Sequence, residues 1–118
     1  MSAEKMLIVD DSRLSRMMIK GFASSSKPHW EILEAEDGDD ALAKTEGNDI
    51  QWITVDYNMP GMDGITLCSK LQQRFPEAKI ALLTANIQDS VKERSESINV
   101  DFIQKPVTED KIKAFIEQ

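Results

Sequence analysis

Five apolar runs of strand length, each followed by a segment with helical periodicity, constrain this chain more than any other feature. The runs are Lys5 to Val9, Trp30 to Ala35, Ile50 to Val55, Lys79 to Leu83 and Val100 to Gln104. Each is too short for a buried helix and is bounded by turn-forming residues. Between them Leu14, Met17, Met18 and Phe22 recur at helical spacing. So do Ala41, Leu42 and Thr45 within Asp37 to Glu46, and later Leu67, Cys68, Leu71 and Phe75. Ile87, Val91 and Ile98 outline a fourth helix from Ile87 to Ile98. Arg94 and Ser95 stand where core residues belong, so this helix is expected to be the least firmly packed. The fifth presents Ile112, Phe115 and Ile116, with Thr108 as N-cap, Glu109 and Asp110 in the first turn, and Val107 placed to staple against Ile112.

The punctuation agrees with this division. Asp11 or Ser12 can cap the first helix, and the stretch Ser24-Ser25-Ser26-Lys27-Pro28 is expected to end it. Gly47-Asn48 suits a left-handed close to the second helix, Pro76 stops the third, Asn99 can cap the fourth, and Lys105-Pro106 breaks the last strand. Strands that alternate with helices are joined by crossovers, which make a parallel sheet covered by helices on both faces. The expected class is α/β, a doubly wound five-stranded parallel sheet with five helices. No repeat, low-complexity tract or linker interrupts the pattern, so residues 1–118 are expected to form one domain.

A chain of 118 residues, 41% hydrophobic and 30% charged, can bury one substantial core. No apolar run nears the roughly 18 to 20 residues of a membrane span, and the N-terminus lacks a secretory pattern, so a cytoplasmic location is expected. The net charge of −7 argues against nucleic acid as a partner, which demands neutralisation of phosphates by Lys and Arg. The acidic density from Glu31 to Asp49 reads as a solvated surface. Cys68 reads as a buried core thiol, His29 as a solvated ring, and Trp30 and Trp52 as packing residues.

In an open parallel sheet, ligands gather beyond the carboxyl ends of the strands near a topological switch point. Asp10 and Asp11 end the first strand, Asp56 the third, Thr84 the fourth and Lys105 the fifth. Four strands thus deliver three carboxylates, a hydroxyl and an ammonium to one edge. Aspartates after strands are often only capping residues. Three packed together repel one another, however, and such a cluster persists most readily around a hard cation with oxygen ligands, for which Mg²⁺ is expected.

Four segments in order, Met6-Leu7-Ile8-Val9-Asp10-Asp11-Ser12, Val55-Asp56-Tyr57-Asn58-Met59-Pro60-Gly61-Met62-Asp63-Gly64, Leu82-Leu83-Thr84-Ala85 and Asp101-Phe102-Ile103-Gln104-Lys105-Pro106, carry a resemblance that spans essentially the whole chain. The sequence resembles the receiver domains of two-component response regulators, most closely the CheY-like single-domain chemotaxis type. The resemblance implies a flavodoxin-like fold, Asp56 as phosphoacceptor, and Mg²⁺ bound by Asp11, Asp56 and the backbone carbonyl of Asn58, with Asp10 assisting through water. It further implies that Thr84 and Lys105 bind phosphoryl oxygens, that Thr84 and Phe102 form the switch, and that Asn58 and Asn86 flank the path of attacking water. Many relatives of this kind carry tyrosine where Phe102 stands. The output face is expected to comprise the fourth helix, the last strand and the last helix.

The implied function is a phosphorylation-activated response regulator, a signalling protein rather than an enzyme with an external substrate. It would act as a monomer, with a histidine kinase as donor, a phosphatase as a further partner, and an effector such as a flagellar motor switch protein. A phosphate sink or phosphorelay intermediate would use the same chemistry. An aspartyl-phosphate hydrolase would carry its two aspartates two residues apart, whereas Asp10 and Asp11 are adjacent. A flavin-binding protein would need a loop rich in Ser, Thr and Gly after the first strand.

Overall fold

The structure, a computed structural model, describes residues 4–85 and 89–118. In chain order the elements are β1 (Lys5–Val9), α1 (Arg13–Ser26), β2 (Glu31–Ala35), α2 (Gly38–Lys44), β3 (Trp52–Asp56), α3 (Gly64–Arg74), β4 (Lys79–Thr84), α4 (Asp89–Ser97), β5 (Asp101–Gln104) and α5 (Glu109–Ile116). The strands form one sheet in the order β2-β1-β3-β4-β5, every pair parallel. The chain moves outward from β1 to β2, then returns past β1 to build β3, β4 and β5. The crevice between β1 and β3 is therefore the switch point of the sheet.

The strands' alternation sorts their side chains into two cores. Leu7, Val9, Ile53, Val55 and Leu82 pack with Ala41 of α2, Leu67, Cys68 and Leu71 of α3 and Val91 of α4. On the other face Met6, Ile8, Ala81, Leu83 and Ile103 pack with Ile19 and Ala23 of α1 and Ile112, Phe115 and Ile116 of α5. Burial on both sides explains why β1, β3 and β4 are nearly continuous apolar runs. At the end of the second core away from the strand tips, Trp30 stacks on Trp52 at 5.4 Å and Phe115 meets Trp52 edge-on at 5.6 Å.

Helix starts follow from capping chemistry. The side chains of Ser12, Asp37, Asp63 and Thr108 accept hydrogen bonds from the backbone N–H groups of Ser15, Asp40, Thr66 and Lys111. Gly47 and Asn99 adopt the positive φ angles expected of them, 77° and 63°. Val107 packs into the core that contains Ile112.

Two expectations are corrected. Helix α1 continues through Ser24, Ser25 and Ser26, with the Lys27 N–H still bonded to the Ala23 carbonyl. Serines alone do not break a helix; Pro28 constrains only its immediate predecessor. Its buried stripe also differs: Ile19 and Ala23 face the sheet, while Leu14, Met17 and Met18 are 67%, 58% and 44% exposed. Two apolar stripes compete on this helix, and the one chosen also turns Arg16 toward Glu34 of β2, 3.1 Å away. Helix α4 is described from Asp89 onward, and Ile87 lies outside the described residues. Val91 is buried as expected, and Ser95 is fully buried too. The Ser95 hydroxyl donates to the Lys92 carbonyl at 2.7 Å, which removes the cost of burying it.

Candidate functional site

Beyond the tips of β1, β3, β4 and β5 the predicted residues converge. Asp10 follows β1, its N–H donating to the Ala35 carbonyl at 3.0 Å. Its Oδ1 accepts from the Ser12 N–H at 2.9 Å. Its Oδ2 is buried without a hydrogen-bond partner, with Lys105 Nζ 4.0 Å away. Asp56, the last residue of β3, accepts from Lys105 Nζ at 2.9 Å. Asp10 and Asp56 are 1% and 3% exposed, whereas Asp11 is exposed. Ligand oxygens of Asp10, Asp11 and Asp56 lie within 4.8 Å of one another.

The electrostatics follow from this crowding. Burial pushes the Asp10 carboxyl above its ordinary value, opposed chiefly by the Ser12 N–H and assisted by the charge of Asp56. Burial likewise raises Asp56, opposed first by the hydrogen bond and charge of Lys105. One ammonium therefore serves two buried carboxylates and leaves Asp10 Oδ2 without a hydrogen bond, with only a 4.0 Å ion pair. An all-oxygen cluster with an unsatisfied buried carboxylate oxygen fits a hard divalent cation such as Mg²⁺.

Thr84 ends β4, buried, opposite Gln104 of β5, and its carbonyl accepts from the Lys105 N–H at 2.9 Å. The Lys105-Pro106 peptide is cis. Phe102 is half-buried against the first core. It sits opposite Leu82, so it occupies the same sheet face as Thr84, one pleat repeat back. Asn58 is exposed on the loop after β3, and Asn86 lies outside the described residues. His29 is exposed, away from these strand tips in the turn before β2. Cys68 is buried in α3, and its thiol is pushed up to about 12 by burial and by the charge of Asp63.

Two residues at the site escaped sequence reasoning. Gly64 begins α3 so close to β3 that a Cβ would stand 2.6 Å from the Asp56 carbonyl oxygen and 2.8 Å from Tyr57 Cα. Asp63-Gly64 reads in sequence only as a turn. Arg16 donates from Nη1 to the Asp10 carbonyl at 2.7 Å and from Nε to Glu34 at 3.1 Å. A cation in the second turn of a helix that follows an Asp-Asp pair is the only signal it leaves in the sequence.

The family described as response regulator receiver domain matches residues 6–117. The chemotaxis protein CheY of Bacillus subtilis is 37% identical over 112 residues, 93% of this chain and 92% of that one. Chemotaxis protein CheY1 of Helicobacter pylori is 33% identical over 118 residues, 96% of this chain and 94% of that one. Among solved structures, Vibrio cholerae CheY4 superposes with a TM-score of 0.85 at 25% identity, covering 98% of each chain. The Borrelia burgdorferi structure described as a CheX-CheY-BeF3-Mg+2 complex gives 0.84 at 27% identity, covering 96% of this chain and 86% of that one. Five parallel strands and five helices are thus the architecture shared with these neighbours.

Proposed function

This chain belongs to the response regulator receiver family, and from that premise we propose that it is a phosphorylation-driven switch with Asp56 as phosphoacceptor. The observation that carries the proposal is the contact of Lys105 Nζ with Asp56 Oδ1 at 2.9 Å beside a buried Asp10 oxygen that has no hydrogen bond. A carboxylate at the mouth of a switch-point crevice is presented to an incoming donor, and the ammonium beside it supplies a point charge for phosphoryl oxygens.

The donor is the phosphorylated imidazole of a histidine kinase. An Asp56 carboxylate oxygen attacks phosphorus as the phosphorus–nitrogen bond breaks, and the electron pair remains on the imidazole nitrogen, which takes up a proton. Water later attacks the acyl phosphate, returning the carboxylate and releasing inorganic phosphate. Asp11, Asp56 and the Asn58 carbonyl would hold Mg²⁺, with Asp10 assisting. When bound, the ion offsets negative charge on the carboxylates and the phosphoryl oxygens. The Borrelia relative, described as a complex with BeF3 and Mg²⁺, supports Mg²⁺ as the cation.

Thr84 and Lys105 bind the phosphoryl oxygens. A charge-assisted hydrogen bond from the Thr84 hydroxyl is worth about 1.5 to 3 kcal/mol. That biases a two-state equilibrium roughly tenfold to a hundredfold. Phe102 is the responding side chain in this reading, which its position on the same sheet face as Thr84 and its half-burial support. The output is read by a partner protein on α4, β5 and α5; the relatives' description as chemotaxis proteins favours a chemotactic target, which we take to be a flagellar motor switch protein. Among the described residues no helix is long and apolar enough to cross a membrane.

Intact-protein mass spectrometry after incubation with Mg²⁺ and acetyl phosphate tests the reading. One phosphoryl group is expected on the native chain, with none on Asp56→Asn and none when Mg²⁺ is chelated. A folded native chain that gains no mass under any condition would leave a binding module without phosphoacceptor chemistry.

A further inference from the structure

The carboxylates of Asp10 and Asp11 hang from a peptide that has already left the sheet. The β1–β2 ladder ends at the pair Val9 and Ala35, and the Asp10 N–H makes the last bond to β2. The Asp10 carbonyl has no strand partner there; it accepts from Arg16 Nη1 at 2.7 Å. Arg16 is itself held, with Nε 3.1 Å from Glu34 Oε1 and only 15% of its side chain exposed. Glu34 is steadied by Lys20 at 3.7 Å, and its own carbonyl accepts from Lys44 Nζ at 2.8 Å. Among the described residues, no hydrogen bond or ion pair joins Arg16 to the carboxylates of Asp10, Asp11 or Asp56.

From this arrangement we infer that Arg16 is a positioning residue for the cation site: with Glu34 as its anchor, it fixes the Asp10–Asp11 peptide and thereby sets divalent-cation affinity. The inference rests on the Mg²⁺ reading of the acidic cluster proposed above. A guanidinium bonded to both a carbonyl and a carboxylate has a defined orientation, which a single ammonium cannot reproduce at both partners. Groups that orient metal ligands without touching the metal commonly change affinity by about 10- to 100-fold when removed.

Charge and position predict opposite signs. Arg16→Met deletes a positive charge beside a cation site, so charge alone would tighten Mg²⁺ binding. Loss of the carbonyl anchor would weaken it. Arg16→Lys keeps the charge, so charge alone predicts no change, whereas one ammonium serving two partners predicts an intermediate loss.

The test is calorimetric titration of the metal-free native chain, Arg16→Met and Arg16→Lys with Mg²⁺, alongside amide spectra in EDTA. Expected are a dissociation constant raised about tenfold or more for Arg16→Met and several-fold for Arg16→Lys. Amide signals of Asp11 and Ser12 should shift in the metal-free variants while those of β4 and β5 stay in place. If Arg16→Met does not fold, Arg16→Lys decides by the same measure. Unchanged or tighter binding in a folded variant would overturn the inference and leave the Mg²⁺ reading intact. A native chain that binds no Mg²⁺ would remove both.

Discussion

Replacing Gly64 with alanine would put a methyl carbon 2.6 Å from the Asp56 carbonyl oxygen and 2.8 Å from Tyr57 Cα, with Leu82 Cδ1 at 3.0 Å. Two of these neighbours are backbone atoms and cannot rotate away. Ordinary contact begins near 3.4 Å, so the start of α3 must separate from the tip of β3 by about 0.8 Å. Overpacking of this size costs about 1 to 3 kcal/mol. The Gly64 N–H to Tyr57 carbonyl bond, already 3.3 Å, would be lost for about 1 kcal/mol more. Because the clash is with Asp56, the proposed phosphoacceptor, the proposed chemistry should suffer as well, by about 10- to 100-fold for a misplacement approaching 1 Å. Urea melts followed by circular dichroism, and rates of phosphorylation by acetyl phosphate, would measure the two effects. Gly21→Ala is the control. It lies within α1, where an added methyl would meet nothing within 4 Å, and should stabilise by about 0.5 to 1 kcal/mol without altering the rate. Gly64→Ala with a melt within about 0.5 kcal/mol of native and an undiminished rate would refute the steric reasoning.

Further outcomes follow from the buried ionisable groups. Asp10 and Asp56 have folded pKa values raised above the ordinary 3.8, so without metal the folded state takes up their protons before the unfolded state does. Their contribution to stability therefore improves as pH falls through the raised values toward 3.8, and is least favourable above them. Urea midpoints in EDTA, stepped from neutral pH to about pH 4, should show this gain as a difference between native and Asp10→Asn, the variant gaining less on acidification. Cys68, buried with its thiol pushed up to about 12, should resist thiol reagents at neutral pH and react only when urea unfolds the chain. Labelling at the rate of a free thiol in the folded protein would contradict its burial.

Much of this architecture can be read from the chain because parallel strands buried on both faces leave long apolar signatures and their connections demand helices. The tips of β1, β3, β4 and β5 were legible for the same reason: Asp10, Asp56, Thr84 and Lys105 are where the apolar runs stop. Periodicity could not choose the buried face of α1, which carries Leu14, Met17 and Met18 on one stripe and Ile19 and Ala23 on the next. That choice is made by what α5 and the sheet offer. Ser95 was illegible because its hydroxyl is satisfied within its own helix, a bond that sequence does not announce. Gly64 and Arg16 act through distances between atoms that only the folded chain brings together, 2.6 Å for a Cβ at Gly64 and 2.7 Å for the Arg16 bond.

The stacked indoles of Trp30 and Trp52 set the optical character of the molecule. Trp52 opens β3 and Asp56 closes it, so along an extended strand the pair is separated by about 13 Å. Both indoles sit in the aromatic cluster with Phe115, at the end of the sheet remote from the carboxylates. Their emission is consequently tied to the α5 packing, at the opposite end of β3 from the acidic crevice. Tyr57, adjacent to Asp56, is the chain's single tyrosine and its nearest native chromophore to the chemistry. Strand β3 thus joins an aromatic cluster at its start to the acidic crevice at its end, with Tyr57 just beyond.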